Sequence, residues 1–250
     1  MSHKIAIVMP AYNEADVISE VVLKWTELLQ NGFKSEDNPL LIIVNDGSKD
    51  NTFEILTELA KNNKILVPVN QPNGGHGNAV VNAYKKAIEM QAEYVFQTDS
   101  DDQFETQDFF KLWEKRNESN FILGYRKQRF DAPIRLVITR ILKFSVYLFF
   151  GVFIEDSNIP FRLVKGDFLK KMLSKLPEPV PFAPNIFLSV MAKKSGNKIF
   201  SIPITHKDRH TGEVSIRKMK LLKVCWKSFN ELLAFRRNLP EIVKSLKTHN

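Results

Sequence analysis

The chain has a single cysteine, Cys225, among 250 residues. That excludes an intrachain disulfide and makes a reduced compartment the expectation. No catalytic pattern surrounds Cys225, so it reads as a packing residue. Long uncharged runs are also missing. The most apolar tract, "FSVYLFFGVFI" from Phe144 to Ile154, is eleven residues, well short of the roughly 20 needed to span a bilayer. It fits a core helix or an interfacial one. The strand-like "KIAIVM" begins within a few residues of Met1, leaving no room for a signal peptide, so export is not indicated. There is no internal repeat and no low-complexity segment. With 44% hydrophobic residues, the chain is long enough to bury a sizeable core.

Negative charge is in the minority, with 28 Asp and Glu against 36 Lys and Arg and a formal net charge of +8. The imbalance is local. Residues 206–250 hold eleven Lys/Arg against four Asp/Glu, a pattern that suits a membrane surface, a phosphorylated substrate or nucleic acid, or else a solvated helical face. Nucleic acid is not expected, because the tail lacks interleaved aromatic platforms and any recognised nucleic-acid motif. In such a basic chain, "QTDSDDQF" is an anomaly: Asp99, Asp101 and Asp102 fall within four positions. Clustered carboxylates repel and are costly to desolvate, so a cation, a proton or an exposed turn must accompany them.

The first hundred residues alternate strand and helix patterns. "KIAIVM", "LLIIVN", "ILVPV" and "YVFQT" are short β-branched or aromatic runs, each followed by turn-forming residues. Between them, three sets of residues each share a helical stripe: Ile18, Val21, Val22, Trp25 and Leu29; Phe53, Leu56, Leu59 and Ala60; Val80, Ala83, Tyr84, Ala87 and Ile88. This order predicts an α/β fold, an open sheet of parallel strands flanked by helices. Ligands bind such sheets beyond the carboxyl ends of the strands. Those ends read "PAYNEA", "NDGSKDNT", "NQPNGGHGN" and "DSDDQF", so the unusual residues converge on one edge. After residue 120, "FIL" and "IFSIPI" are further strand candidates. Ile134 to Ile154 reads as one long helix or two, and "LPEPVPFAP" is irregular through its four prolines.

Each motif has a bland reading as well. "NGGHGNA" opens a helix whose amides would cradle an anion, with His76 as an added donor; a tight structural turn explains it equally. It matches neither the P-loop nor the dinucleotide fingerprint. Asp46 would accept hydrogen bonds from a ribose or base, or make an Asx turn, with Asn51 and Glu54 forming a helix cap behind it. Asn13 in "PAYNEA" would serve as a strand exit and helix cap. "DSDDQ" carries the strongest signal. Asp99 and Asp101, at i and i+2 of an extended segment, would face one hard divalent cation with Gln103 behind them, and Asp102 would point away.

In this order and at these strand ends, the four motifs resemble glycosyltransferase family 2 with its GT-A fold, convincingly over residues 4–105 and more loosely afterwards. The resemblance implies a nucleotide-sugar donor, UDP- or GDP-linked, and a site in which Pro10, Ala11, Tyr12, Glu14, Asp46, Gly75, His76 and Ser100 bind the nucleotide. It implies that Asp99, Asp101 and Gln103 hold Mg²⁺ or Mn²⁺. "LGYRKQRFDAPIRLVITR" and "DSNIPFRL" are similar to polyprenyl-phosphate sugar transferases. Many family 2 members carry a Glu-Asp pair whose Asp is the general base, whereas "PVPFAPNIFLSVMAKKSG" holds no carboxylate. A phosphate acceptor, already ionised, needs positioning more than deprotonation.

On that resemblance Arg126, Arg135, Thr139 and Ser215 bind the acceptor phosphate, and Asp99, Asp101, Arg126 and Arg135 are the catalytic set. "ITHKDRHTGEVS" is similar to a loop that closes over the diphosphate and gives roles to His206, Arg209 and Ser215, although Glu213 and Val214 stand where small residues are usual. Arg135, Arg140 and Lys143 fall within about 140° on a helix and leave an apolar face of Leu136, Ile141, Phe144 and Leu148, which suits a membrane interface or a core helix with a wet face. The expectation is a metal-dependent inverting transferase on polyprenyl phosphate, cytoplasmic and peripheral to the inner membrane face. Residues 1–215 would form the GT-A domain, with a nucleotide-sugar half (1–105) and an acceptor half (106–215), followed by a basic helical tail (216–250). The alternatives are transfer to a sugar hydroxyl, which needs a base not found here, and a non-catalytic nucleotide-sugar-binding module.

Overall fold

The computed structural model describes residues 3–126, 133–207 and 218–247, with residues 133–138 and 218–226 described by their backbone alone. Its centre is a seven-stranded sheet in the order β3-β2-β1-β4-β6-β5-β7. Strands β1 (His3–Ala11), β2 (Leu40–Asp46), β3 (Leu66–Gln71) and β4 (Ala92–Gln97) run parallel. They alternate with helices α1 (Ile18–Gly32), α2 (Thr52–Asn62) and α3 (His76–Glu89). Every residue of β2 is buried, which is why it reads as an unbroken apolar run rather than an alternating one. Pro68 is tolerated because β3 lies at the sheet edge. Trp25 of α1 packs on Phe96 of β4 at 5.6 Å, and Tyr84 and Val80 of α3 are fully buried.

The second half is built differently. After α4 (Asp108–Trp113) come β5 (Phe121–Arg126), α5 (Pro133–Phe150), β6 (Arg162–Lys165), α6 (Gly166–Leu173), α7 (Pro184–Lys194), β7 (Ile199–Ile204) and α8 (Lys218–Lys247). β6 is antiparallel to both β4 and β5, and β7 is parallel to β5. Two reversals return β5 to the direction of β4, so Arg126 exits at the same edge as Gln97. β5 and β7 coincide with the expected strands, and α5 is one helix. Sequence patterning missed β6, α4, α6 and α7. β6 is only four residues long and two of them are Arg162 and Lys165; α7 is buried from Pro184 to Ala192 and so shows no amphipathic period.

Two local expectations are corrected. Helix α1 starts only at Ile18, with no side-chain cap; Asn13 takes a positive φ of 54° and its side chain instead accepts from the Lys49 amide at 2.8 Å. Asn51 precedes α2 without a side-chain cap bond, because Asp50 takes that role by accepting from the Thr52 amide at 3.1 Å. The basic C-terminal segment is the helix α8, which buries Leu232, Phe235, Leu239 and Leu246 in the common core, with Phe235 against Phe187 of α7 at 4.8 Å. Its apolar residues, spaced at helical intervals, are numerous enough to dock one face.

Candidate active site

Registers Ala11 with Asn45, and Asp46 with Gln71, set the exits of β1, β2 and β3 side by side. Asp46 is buried there. Its carboxylate accepts from the amides of Gly74 and Gly75 at 2.8 and 2.9 Å and from the Gln71 side chain at 2.7 Å. Two amides expected to cradle a ligand anion are thus held by the chain's own carboxylate, and the glycine loop is moulded around it. Gly47 makes this possible: its φ is +65°, and a Cβ would fall 2.6 Å from the Asn73 amide nitrogen. His76 opens α3 and is exposed at the mouth of the crevice.

A second lattice ties the β1 exit to the β2 exit. Ser48 Oγ donates to Asn45 Oδ1 at 2.5 Å and accepts from the Asn13 amide at 3.0 Å. Asp50 accepts from the Ala15 amide at 3.1 Å, and Thr52 Oγ1 from the Glu14 amide at 2.9 Å. Burial pushes the Asp50 carboxyl up, but bonds from the Thr52 hydroxyl and the Ala15 and Thr52 amides outweigh it and hold the pKa below the usual range. These bonds fix the backbone on either side of Tyr12, whose ring stands 40% exposed at the rim. Asn45, Ser48, Asp50 and Thr52 were missed as site residues. Their signal was present in "NDGSKDNT", as side chains of the kind that bond nearby backbone.

The acidic segment leaves β4 next to this lattice. Ser100 donates to the Pro10 carbonyl at 2.9 Å, pinning the segment to the end of β1. The chain bends at residues 100–102 instead of staying extended, Asp102 has a φ of 56°, and the Gln103 amide donates to Asp101 Oδ1 at 3.3 Å. Strand alternation therefore does not separate the three carboxylates; the bend does. Asp102 turns to Lys24 of α1 at 2.7 Å, and Lys24 also meets Glu20 at 2.7 Å. Asp102 and then Glu20 hold the ammonium above its ordinary pKa. Asp99 and Asp101 are half-buried at the crevice edge, with Oδ1 of Asp99 closed off from solvent.

His206 is brought beside this segment by an antiparallel bridge to Phe104. The Lys207 amide donates to the Gln103 carbonyl at 2.8 Å, and Gln103 Nε2 donates to the Lys207 carbonyl at 3.3 Å. Asp108, also missed from sequence, anchors the start of this strap by accepting from the Thr205 amide at 2.5 Å. Long-range pairing of this kind leaves no short-range sequence signal.

From the other half, Arg126 reaches the same edge but is bidentate to Asp156, at 2.9 and 3.3 Å. Arg162 of β6 is fully buried and donates to the carbonyls of Ile159 and Asn185 at 3.0 Å each and to Ser189 Oγ at 3.2 Å. Burial lowers its pKa to about 10, while Tyr84, Asp156 and Asp99 pull it back up. Thr139 is half-buried on α5. Arg135 lies on the backbone-only part of α5, and Arg209 and Ser215 lie outside the described residues.

Among the described residues, no three His, Cys, Asp or Glu side chains form a metal cluster by themselves. Mg²⁺-type sites built on one or two carboxylates complete their shell with substrate phosphates, and Asp99 with Asp101 at an open crevice fits that description.

The family model for "Glycosyl transferase family 2" matches residues 6–175. The UDP-N-acetylglucosamine–dolichyl-phosphate N-acetylglucosaminyltransferase of Methanococcus voltae is 27% identical over 93% of this chain and 96% of its own length. The undecaprenyl-phosphate 4-deoxy-4-formamido-L-arabinose transferase of Edwardsiella ictaluri is 23% identical over 89% of this chain and 66% of its own. Glucosyl-3-phosphoglycerate synthase of Mycobacterium tuberculosis, solved with Mn²⁺, UDP and phosphoglyceric acid, shares the fold with a TM-score of 0.67 at 15% identity, over 94% of this chain and 78% of that one.

Proposed function

The chain belongs to glycosyl transferase family 2, and on that premise we propose that it moves a sugar from a nucleotide-diphosphate sugar to a polyprenyl phosphate. The observation that carries this reading is the segment facing the glycine loop. A Cβ on Gly77 of α3 would fall 2.4 Å from the Pro181 carbonyl and 2.9 Å from the Phe182 carbonyl, so residues 181–184 press against the start of α3, and the stretch from Pro181 to Lys194 contains no carboxylate. The carboxylate that does reach them, Glu231, accepts from the Phe182 amide at 3.2 Å and faces Lys227. Among the described residues of this segment an acceptor hydroxyl would find no base, whereas an ionised phosphate needs none. The dolichyl- and undecaprenyl-phosphate relatives support the same acceptor class.

In this reading Asp99 and Asp101, with Gln103 beside them, hold Mg²⁺ or Mn²⁺. Bound there, the metal supplies Lewis-acid stabilisation of the charge that develops on the leaving diphosphate. Pro10, Ala11, Tyr12, Glu14 and Ser100 line the nucleotide side. Asp46 acts through the glycine loop that it shapes, and His76 and Gly75 stand at the loop's open end. Arg126, oriented by Asp156, presents its remaining guanidinium edge to the acceptor phosphate, with Thr139 assigned to the same subsite; the acceptor roles of Arg135 and Ser215 and the diphosphate role of Arg209 rest on the family resemblance alone, since these side chains lie outside the described residues.

Among the described residues no helix is long and apolar enough to cross a membrane. On α5, however, Ile141, Phe144, Tyr147 and Leu148 are each more than half exposed. A core helix would bury them. This supports peripheral contact of α5 with the inner face of the cell membrane, where a lipid acceptor resides.

Purified protein with metal, labelled UDP- or GDP-sugar and a short polyprenyl phosphate is expected to yield a chloroform-soluble labelled lipid. Product formed only with a glycan acceptor would transfer the assignment to a sugar hydroxyl, and nucleotide-sugar binding without any turnover would leave a binding module.

A further inference from the structure

A groove of about 330 Å³ lies between the C-terminal ends of α5 and α7 and the second half of α8, and none of its lining residues belongs to the crevice. Its size is at the low end of ligand pockets, which run from about 300 to 1,000 Å³. Phe149, Phe150, Leu239 and Val243 form apolar walls, Lys194 and Arg236 supply two cations, and among the described residues no carboxylate lines it. Phe229, itself partly exposed, meets Phe149 edge-on at 5.1 Å, so the apolar surface continues out of the groove onto α8.

The surrounding charge is predominantly positive. Helix α5 carries Arg135, Arg140 and Lys143 and no carboxylate, and α7 carries Lys193 and Lys194 and no carboxylate. On α8 eight Lys and Arg face Glu231 and Glu241. Glu231 is engaged by Lys227 and the Phe182 amide. Glu241 sits about 140° around the helix from Arg236. An apolar slot with cations at its side is complementary to a molecule that joins a hydrocarbon chain to a phosphate, and Arg236 offers the forked donors that suit the phosphate.

We propose that this groove binds an anionic phospholipid, with an acyl chain along Phe149, Phe150, Leu239 and Val243 and the headgroup phosphate at Lys194 and Arg236. The lipid is an anchor, separate from the acceptor. The proposal rests on the membrane contact inferred above and is independent of which acceptor is used.

The test uses the full chain with vesicles of phosphatidylcholine alone or mixed with phosphatidylglycerol, and a phosphatidylglycerol bearing a photoreactive acyl chain. Partition into the mixed vesicles and lipid adducts on peptides containing Phe149 or Leu239–Val243 are expected. K194E/R236E should lower partitioning at least about tenfold, at about fivefold per charge near an anionic surface, while K64E, on the far side of the sheet, leaves it unchanged. V243W should abolish the adduct yet retain turnover of a short-chain polyprenyl phosphate in detergent. Equal binding to neutral vesicles, adducts confined elsewhere, protection of the groove by inorganic phosphate alone, or its occlusion by a second copy of the chain or a protein partner would overturn the proposal. Normal vesicle binding and adducts, with no turnover on any polyprenyl phosphate, would sink the assigned reaction and leave the lipid site standing.

Discussion

Residues 3–105 and residues 106–247 meet at one crevice but are held by different means. In the first region β1 to β4 are parallel, so the loops after β1, β2 and β3 are bonded to one another within the same hundred residues. Short polar side chains then suffice to knit the exits together, as Ser48, Asp50 and Thr52 do across the β1 and β2 loops. In the second region the sheet reverses twice around β6, and the polar links are long and charged: Arg126 to Asp156, and Arg162 to the turn at 157–159 and to α7. The difference teaches that the β1–β3 side of the crevice is a local construction and the β5–β7 side a tertiary one. Substitutions should therefore separate chemistry on the first side from folding on the second.

The largest expected effect is on turnover. D101A should reduce sugar transfer by about 10²–10³-fold with a circular dichroism spectrum and melting point close to wild type. A matching loss of stability would place Asp101 among the structural carboxylates instead. For the second region the expectation reverses. R162M removes the donor that satisfies buried carbonyls of Ile159 and Asn185, and should cost about 3–5 kcal/mol in urea denaturation.

The seam between the regions comes next. G77A forces a Cβ against the Pro181 carbonyl and should cost about 1–3 kcal/mol; an unchanged urea midpoint would mean that residues 181–182 yield freely. The smallest effect is a matter of pH. Asp50 has a folded pKa held below its unfolded value of about 3.9, so its contribution is present above that value and is lost as pH falls through the folded pKa. The stability gap between wild type and D50A, about 1 kcal/mol at neutral pH, should shrink below about pH 4. A gap that persisted at lower pH would show that the Asp50 charge plays no part.

The parallel half of the sheet was readable because hydrophobic runs and helical stripes are local signals, and because polar residues cluster where each strand ends. What the motifs touch was not readable. Asp46 reads as a ligand group, and in the fold its carboxylate also holds Gln71, Gly74 and Gly75, since only folding reveals that these donors lie 25 to 29 residues ahead. Arg162 is the single arginine of "DSNIPFRL", and nothing in that motif told that it would be wholly buried. α7 gave no period because all its faces are covered.

By itself the sequence determined the alternation of strands and helices, the edge at which the chemistry gathers, and the surplus of positive charge toward the C-terminus, for these follow from residue order and side-chain type. Tertiary structure decided how carboxylates within four positions divide. A bend at 100–102, a positive φ at Asp102 and Lys24 reaching over from α1 draw Asp102 aside and leave Asp99 and Asp101 at the crevice. A partner 78 residues away leaves no mark on the local pattern, so the division of charge could be settled only by packing.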